Sequence, residues 1–206
     1  MSTRRPYQSR LRADRSEETR LRIRESAREL FERKGFAQTT IAEIAKSAGV
    51  AVPTVYATFG SKSGIVIAMM DELEELAGGE EAGRLVLDAP TPREQLHYFL
   101  AFVRALFERG GGVLRAAMAA REDPDVQAMA RTGNERRLEG ARFLATGWSE
   151  RGALRPEVPP SAAAEQLWLL TAAEHYFHAV DDLGWTPDAY QAWLENTVVR
   201  LMFENA

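Results

Sequence analysis

Cysteine is absent from this 206-residue chain, which excludes disulfides, thiol nucleophiles and cysteine-ligated zinc. A chain without cysteine suits a reducing compartment. It also lacks any run of about 18 apolar residues, the length that a membrane-spanning helix needs. Its first 15 residues, MSTRRPYQSRLRADR, lack the apolar core of a signal peptide. We therefore expect a cytoplasmic protein with no membrane contact.

The common signatures of catalysis are missing as well. The sequence contains no phosphate-binding G-x-x-x-x-G-K-[ST], no dinucleotide-binding G-x-G-x-x-G after a strand, no G-x-S-x-G and no H-E-x-x-H. His175 and His178 lie three residues apart with only Glu174 beside them, so a pocket or interface role fits them better than a metal site. We predict no catalytic residues, no metal and no cofactor, and hence no enzyme.

Charge is distributed unevenly along the chain. Residues 1–64 hold 13 Lys and Arg against 7 Asp and Glu, a balance of +6, whereas the remaining 142 hold 13 against 23, a balance of −10. A basic amino-terminal third suits an anionic partner such as DNA. The acidic remainder argues against a protein that coats DNA at high density, since its charges would repel one another.

The segment GFAQTTIAEIAKSAGVAVPTVYATFGSK, residues 35–62, predicts two short helices joined by a tight turn. Thr40 and Glu43 have the spacing of a capping box, so the first helix begins near Ile41. Gly49 supplies the positive φ of the turn. Pro53 lies in the opening turn of the second helix, Val52 to Thr58, where its missing N–H is harmless. This helix–turn–helix pattern lays its second helix in the major groove of DNA.

The outer face of the second helix carries hydroxyl and methyl groups. Threonine and tyrosine hydroxyls donate to phosphates or base edges, methyl groups suit the C5 methyl of thymine, and a lysine neutralises a phosphate. With no Arg, Asn or Gln in this helix, bidentate readout of guanine or adenine is excluded, and specificity is expected from methyl contacts, DNA shape and flanking residues. An ordinary corner of a helical bundle is the alternative, but such a corner need not expose these groups. The candidate DNA-binding residues are Thr40, Val52, Pro53, Thr54, Tyr56, Thr58 and Lys62.

The stretch from about Ser16 to Met70 resembles the DNA-binding domain of the tetracycline-repressor (TetR) family. The residues that carry the resemblance are Gly35, Phe36, Thr40, Tyr56, Phe59 and Lys62, within RIRESARELFERKGF, TTIAEIAKSAGV and TVYATFGSK. Two positions depart from the family pattern: Ala51 replaces the usual capping serine and Pro53 replaces a common glycine, so we expect a weaker cap and a more mobile recognition helix.

The resemblance implies an all-α fold of about nine helices. A three-helix helix–turn–helix domain at residues 16–62 is expected to precede a larger helical regulatory and dimerisation domain at 63–206, with a basic flexible arm at 1–15. The arm carries Arg4, Arg5, Arg10, Arg12 and Arg15. It is either a disordered solubilising tail or, as we favour, an extension that contacts phosphates and orders on DNA.

Start and stop signals place the other helices. Asp14 and Glu17 predict the start of the first helix, and Thr91 to Glu94 the start of another, which Gly110–Gly112 are expected to break. Asp123-Pro124 opens a long helix to about Arg151. Thr186-Pro187 starts the last one. No alternating pattern predicts strands.

The last 45 residues predict self-association. Ala162 to Val180 is apolar nearly all round, so it must be buried on two sides. In the TetR family the last two helices of each subunit pack against their mates, which implies a homodimer that reads a palindrome with two recognition helices. A large monomeric core is the alternative. The candidate interface residues are Leu167, Leu170, Trp193, Leu194, Val198 and Leu201.

The resemblance also implies a small-molecule pocket in the helical domain, whose occupation moves the DNA-binding domains out of register. The candidate pocket residues, each of which would serve equally as core, are Phe99, Phe102, Met118, Phe143, Trp148, Trp168, His175 and Tyr176. The function expected is a sequence-specific regulator, a repressor released from a palindromic operator by an unknown hydrophobic or amphipathic effector. The alternatives are an activator of the same fold and a non-specific architectural DNA-binding protein.

Overall fold

Helices make up all the regular structure of the described residues. The computed structural model describes the backbone of residues 5–204 and the side chains of residues 15–73 and 75–204. Among these residues, no helix is both long and apolar enough to cross a bilayer. The helices are α1 (Arg5–Gln38), α2 (Ile41–Ala48), α3 (Val52–Phe59), α4 (Lys62–Asp71), α5 (Leu73–Leu76), α6 (Gly79–Asp88), α7 (Pro92–Ala119), α8 (Pro124–Glu150), α9 (Pro160–Leu170), α10 (Ala173–Phe177) and α11 (Pro187–Met202), with a π-helical turn at His178–Asp182.

The chain forms two compact units. The first unit consists of the residues up to Asp71 together with residues 112–127, and the second consists of residues 72–111 and the residues from Ala128 onward. The first unit is therefore larger than the stretch 16–62 expected from the sequence: it includes α4, the end of α7 and the start of α8.

The core of the first unit explains why the end of α7 belongs to it. Ile23 and Ala27 of α1 are fully buried together with Ile44, Val55 and Ile65 of the next three helices. Val113 and Ala116 of α7 belong to the same cluster. Burial of each large aliphatic side chain contributes roughly 1.5–3 kcal/mol, so the end of α7 is part of what stabilises this unit.

A partly buried hydrogen bond between two polar side chains joins α4 to the start of α8 within the first unit. Ser63 Oγ donates to Asp123 Oδ2 at 2.7 Å, and Asp123 Oδ1 accepts from the backbone N–H of Asp125 and Val126. One carboxylate thus caps α8 and holds α4. These hydrogen bonds, that from Ser63 first, lower the pKa of Asp123 below its ordinary value.

Most of the predicted helix ends are confirmed. Thr40 caps α2 in a capping box with Glu43, with Thr40 N donating to the Glu43 carboxylate at 2.9 Å. Gly49 has a φ of 66° and ends α2. The all-α class and the long helix after Asp123 are confirmed as well, and Thr186 caps α11 through its side chain.

Two predicted boundaries are wrong. α1 begins at Arg5 rather than after Asp14, because a capping pair inside a run of good helix formers does not start a helix; residues 1–4 of the predicted arm lie outside the described residues. α7 runs unbroken through Gly110–Gly112. A Cβ at Gly110 would overlap Leu73, and one at Gly112 would overlap Glu32, so these glycines serve close packing within each unit.

The apolar stretch near the carboxyl terminus is interrupted. α9 ends at Leu170 and α10 begins at Ala173. The Arg137 guanidinium donates to Trp168 O at 3.0 Å and to Thr171 O at 2.9 Å, which satisfies carbonyls that a continuous helix would have bonded internally. Interruptions of this kind divide longer helical stretches, so the described residues form eleven α-helices where about nine were expected.

Candidate nucleic-acid interface

The helix α3 combines a buried anchor with an exposed outer face. Val55 is fully buried in the core of the first unit. On the other side Val52 is 37% exposed, Tyr56 is 52% exposed, and Pro53 is exposed. This is the orientation that the sequence pattern predicts for a helix that enters a groove.

The amino-terminal end of α3 carries no side-chain cap. Ala51 is the N-cap residue and makes no side-chain hydrogen bond, and Pro53 follows within the first turn. The absence of a serine cap, noted in the sequence, is therefore confirmed. The first turn presents apolar side chains beside the positive end of a helix dipole, which favours an anionic partner such as a phosphate.

The threonine hydroxyls of this region are partly used within the protein. Thr58 Oγ1 donates to Thr54 O at 2.7 Å. Thr40 Oγ1 donates to the Glu43 carboxylate at 2.8 Å and accepts from Glu43 N. The donor capacity of Thr40 and Thr58 is thus used by their own helices, whereas the Tyr56 ring projects from the outer face.

An ion pair fixes the corner where α1 meets α2. Lys34 Nζ lies 2.5 Å from Glu43 Oε1. The hydrogen bonds from Lys34 and then Thr40 lower the pKa of Glu43 to about 2. Glu43 therefore stays ionised, and Lys34 balances its charge close to the candidate DNA-binding face.

Lys62 has a role that the sequence reasoning missed. Its Nζ donates to Phe36 O at 2.6 Å and to Thr39 O at 2.8 Å, and it lies 4.1 Å from the centre of the Phe36 ring. Burial, followed by the nearby Lys34 charge, lowers the pKa of Lys62. Two of its three N–H donors thus tie the start of α4 to the α1–α2 corner. No local sequence signal marks a contact between residues 26 positions apart.

Arg20 holds the carboxyl-terminal end of the recognition helix. Its guanidinium donates to Thr58 O at 3.3 Å and lies 4.9 Å from the centre of the Phe59 ring. Glu17 pairs with it at 3.8 Å. A cation at the carboxyl end of a helix satisfies terminal carbonyls and stabilises the dipole.

The candidate pocket residues are distributed over both units. Met118 belongs to the first unit, whereas the other seven belong to the second. Trp148 is buried, with Nε1 donating to Gln95 Oε1 at 2.9 Å. Phe143 is 60% exposed and lies at an open groove of about 640 Å³ beside Gln95. Phe99, Phe102 and Trp168 are half-buried, and His175 is exposed.

Tyr176 lies in a buried aromatic cluster in the second unit. Its ring centre is 5.3 Å from that of Phe107 and 5.1 Å from that of Tyr190, and Phe177 packs beside it. The Tyr190 hydroxyl is buried without a hydrogen-bond partner among the described residues. Burial first, and then Tyr176, raise the pKa of Tyr190 to about 12. Periodicity alone does not distinguish Phe107 and Tyr190 from other core aromatic residues, so the sequence did not mark them as part of a site.

The candidate interface residues divide into two groups. Leu167, Leu194 and Val198 are buried within the second unit, with Leu194 only 1% exposed. Their side chains are buried within the chain itself, which leaves little of their surface for direct contact with a second subunit. Trp193 and Leu201 are 40% and 48% exposed, and Leu170 is half-buried.

Comparison with known proteins identifies this helical arrangement. Residues 23–69 match the family model described as bacterial regulatory proteins, tetR family. The HTH-type transcriptional regulator TtgR of Pseudomonas putida is 34% identical over an alignment of 117 residues, which covers 45% of this chain and 56% of that protein. A probable HTH-type transcriptional regulator, ArpR, also of Pseudomonas putida, matches equally. The chain thus spans just over half the length of the curated relatives that it matches.

Solved structures share the fold over nearly the whole chain. NalD, the secondary repressor of the MexAB-OprM multidrug efflux pump in Pseudomonas aeruginosa, has a TM-score of 0.74 at 24% identity and covers 94% of this chain and 100% of its own. A putative transcriptional regulator from Saccharomonospora viridis, solved with choline, has a TM-score of 0.76 at 19% identity, covering 92% and 100%. A SmeT–triclosan complex has a TM-score of 0.70 at 18% identity, covering 91% and 93%.

Replacing Lys62 with Met is expected to destabilise the first unit, because it removes the ammonium from two carbonyl groups but keeps the aliphatic stem. The free energy of unfolding should fall by about 1–2 kcal/mol, allowing for the partial exposure of the group. Hydrogen exchange of the amides in residues 36–41 should become faster. Lys46→Met, at an exposed lysine on α2, is the matched control. Unchanged exchange in Lys62→Met would instead favour a phosphate-binding role, seen as a salt slope of DNA affinity lower by about 1.

Proposed function

We propose that this chain, whose residues 23–69 match the model for the tetR family of bacterial regulatory proteins, is a member of that family and represses transcription by binding a palindromic operator in double-stranded DNA. The observation that carries the proposal is α3: a helix anchored by buried Val55, with Val52, Pro53 and Tyr56 exposed along its outer face. The net charge of +6 over residues 1–64 supports an anionic partner. The activity would lie in the cytoplasm, where its DNA partner is found.

Repression is the mode that the named relatives favour. NalD, which shares the fold, is described as a repressor of an efflux pump. A repressor needs only to occupy its operator, which a groove-binding helix in each of two subunits accomplishes. Regulation rather than catalysis agrees with the names of the relatives, which are transcriptional regulators.

A homodimer is part of the proposal. Leu201 and Trp193 expose apolar surface on α11, the last helix, and Leu170 on α9 is half-buried. Large exposed apolar side chains favour a protein partner. A second copy would give two recognition helices related by a two-fold axis, with half-sites about 34 Å apart.

A small-molecule effector completes the proposed function. Neighbours of the same fold are described in complex with choline and with triclosan. Here the Tyr190 hydroxyl is buried in the second unit without a hydrogen-bond partner among the described residues. The Tyr190 ring packs against that of Tyr176, which in turn contacts Phe107. With a pKa of about 12 this hydroxyl remains a donor at neutral pH. It suits an aromatic or amphipathic ligand that carries a hydrogen-bond acceptor, and such a ligand would release the operator.

Selection from a random-sequence DNA library at near-physiological salt tests the regulator assignment directly. We expect an enriched inverted repeat. On that operator, Tyr56→Phe should lower the affinity roughly tenfold at fixed salt, because it removes a hydroxyl that contacts a phosphate. Tyr98→Phe, in the second unit, is the control and should have no effect. Retention of DNA without any enriched sequence would favour the architectural alternative.

Leu201→Arg is expected to shift the protein to monomers in analytical ultracentrifugation, because a charge at an apolar interface must be desolvated without a partner. The substituted position is half exposed, so the fold should survive, as circular dichroism would verify. Leu87→Arg, at an exposed leucine on α6, is the matched control. A dimer that persists in Leu201→Arg would assign the interface to a different surface.

Tyr190→Phe is expected to raise the free energy of unfolding by about 1 kcal/mol, since an unpaired buried hydroxyl costs stability. The same change should weaken the release of labelled operator by an effector such as triclosan or choline, if either releases it from the parent protein. A loss of stability, with effector response unchanged, would mean that the hydroxyl is already satisfied in solution and plays no part in binding.

A further inference from the structure

The recognition helix offers DNA an unusual set of side chains. Val52, Pro53, Tyr56 and Ala57 are exposed along α3, and Thr54 and Thr58 are half-buried. All eight residues of the helix are described, and no long polar side chain is among them. Bidentate hydrogen bonds to guanine or adenine need Arg, Lys, Asn or Gln, so α3 has no means of making them.

The hydroxyl groups of α3 can contribute few hydrogen bonds to the edges of bases. Thr58 Oγ1 donates its proton to Thr54 O at 2.7 Å, which leaves the methyl group and the oxygen lone pairs. Tyr56, farther along the outer face, is the residue assigned to a phosphate. Thr54 therefore retains the one short hydroxyl near the leading end of the helix, together with a methyl group.

The two cations described next to α3 are held by the protein. Arg20 donates to Thr58 O, stacks on Phe59 and pairs with Glu17. Lys62 donates to Phe36 O and Thr39 O. Both groups stabilise the position of α3, so their use in reading bases would require breaking the contacts that orient the helix.

The leading end of α3 is apolar and exposed. Ala51, its N-cap residue, makes no side-chain hydrogen bond, and Ala51, Val52 and Pro53 are all exposed. A short methyl side chain at the N-cap lets this end approach the floor of a groove closely. Thymine is the only base that presents an apolar group, its C5 methyl, in the major groove.

We propose that this protein recognises its operator through thymine C5 methyl groups packed against Val52, Pro53 and the methyl of Thr54. This inference rests on the proposed function, because it specifies what the same helix reads. Hydroxyl and phosphate contacts would position the helix, and the buried methyl groups would determine the sequence. Burial of one methyl group is worth about a fourfold change in affinity.

The test replaces single thymines of the selected operator by deoxyuridine, which pairs identically and lacks only the methyl. Affinity is measured by fluorescence anisotropy at fixed salt. One or more thymines in each half-site should show about fourfold weaker binding as deoxyuridine, and about fifteenfold when both symmetric positions are changed. Val52→Ala should bind the thymine operator more weakly and lose much of the preference over deoxyuridine at the position that Val52 contacts.

Lys46→Ala is the matched control, since it removes a charge from α2 and should leave the thymine-to-uracil ratio unchanged. Circular dichroism of Val52→Ala checks the fold, which substitution of an exposed first-turn residue should preserve. Equal affinity for thymine and deoxyuridine at every position would overturn the inference, while an enriched palindrome would still support the regulator. Failure to enrich any sequence would overturn both.

Discussion

The Lys62 ammonium, bound to the carbonyl oxygens of Phe36 and Thr39, is the constraint on which the rest of the candidate interface depends. It ties the start of α4 to the corner between α1 and α2. The intervening helices α2 and α3 therefore lie between two points that are bonded to each other. Arg20 holds the carboxyl-terminal end of α3 by donating a hydrogen bond to Thr58 O. The recognition helix is therefore oriented by cations at its carboxyl-terminal side and by Val55 beneath it. Its outer face needs no polar side chain for its own support, and it can consist largely of methyl groups.

The features that the sequence predicted well are local. Thr40 with Glu43, Gly49 and Thr186 each act within four residues, so the backbone hydrogen bonds that they satisfy can be inferred from spacing alone. Gly110–Gly112 show the opposite case. A glycine run usually ends a helix, but here the glycines are packed against Leu73 and Glu32, which are distant in the chain. Each glycine lowers the helix propensity by about 1 kcal/mol, but a larger residue at Gly110 or Gly112 would overlap Leu73 or Glu32.

In the candidate sites, too, local features could be predicted from the sequence and tertiary contacts could not. The exposed residues of α3 followed from helical periodicity around Val55, whereas the internal bonds of Lys62 and Arg20 depend on tertiary contacts. On α11, periodicity marks an apolar face but does not say whether that face meets the chain's own core or a second subunit. Leu194 and Val198 are in the core, and Trp193 and Leu201 are exposed. Likewise, aromatic composition suggested a pocket, but only the three-dimensional structure shows that the Tyr190 hydroxyl is buried without a hydrogen-bond partner among the described residues.

The discontinuity of the first unit has a consequence for engineering. Val113 and Ala116 complete its core, and Asp123 bonds to Ser63 while capping α8. A fragment cut after Asp71 would lack all three residues and expose the apolar surface that they cover. Fusing only the residues up to Asp71 to the ligand-binding domain of another protein would leave the same apolar surface exposed. A working chimera must carry residues 112–127 along with the amino-terminal helices. The part that can be transferred is defined by three-dimensional contacts and not by a continuous stretch of the chain.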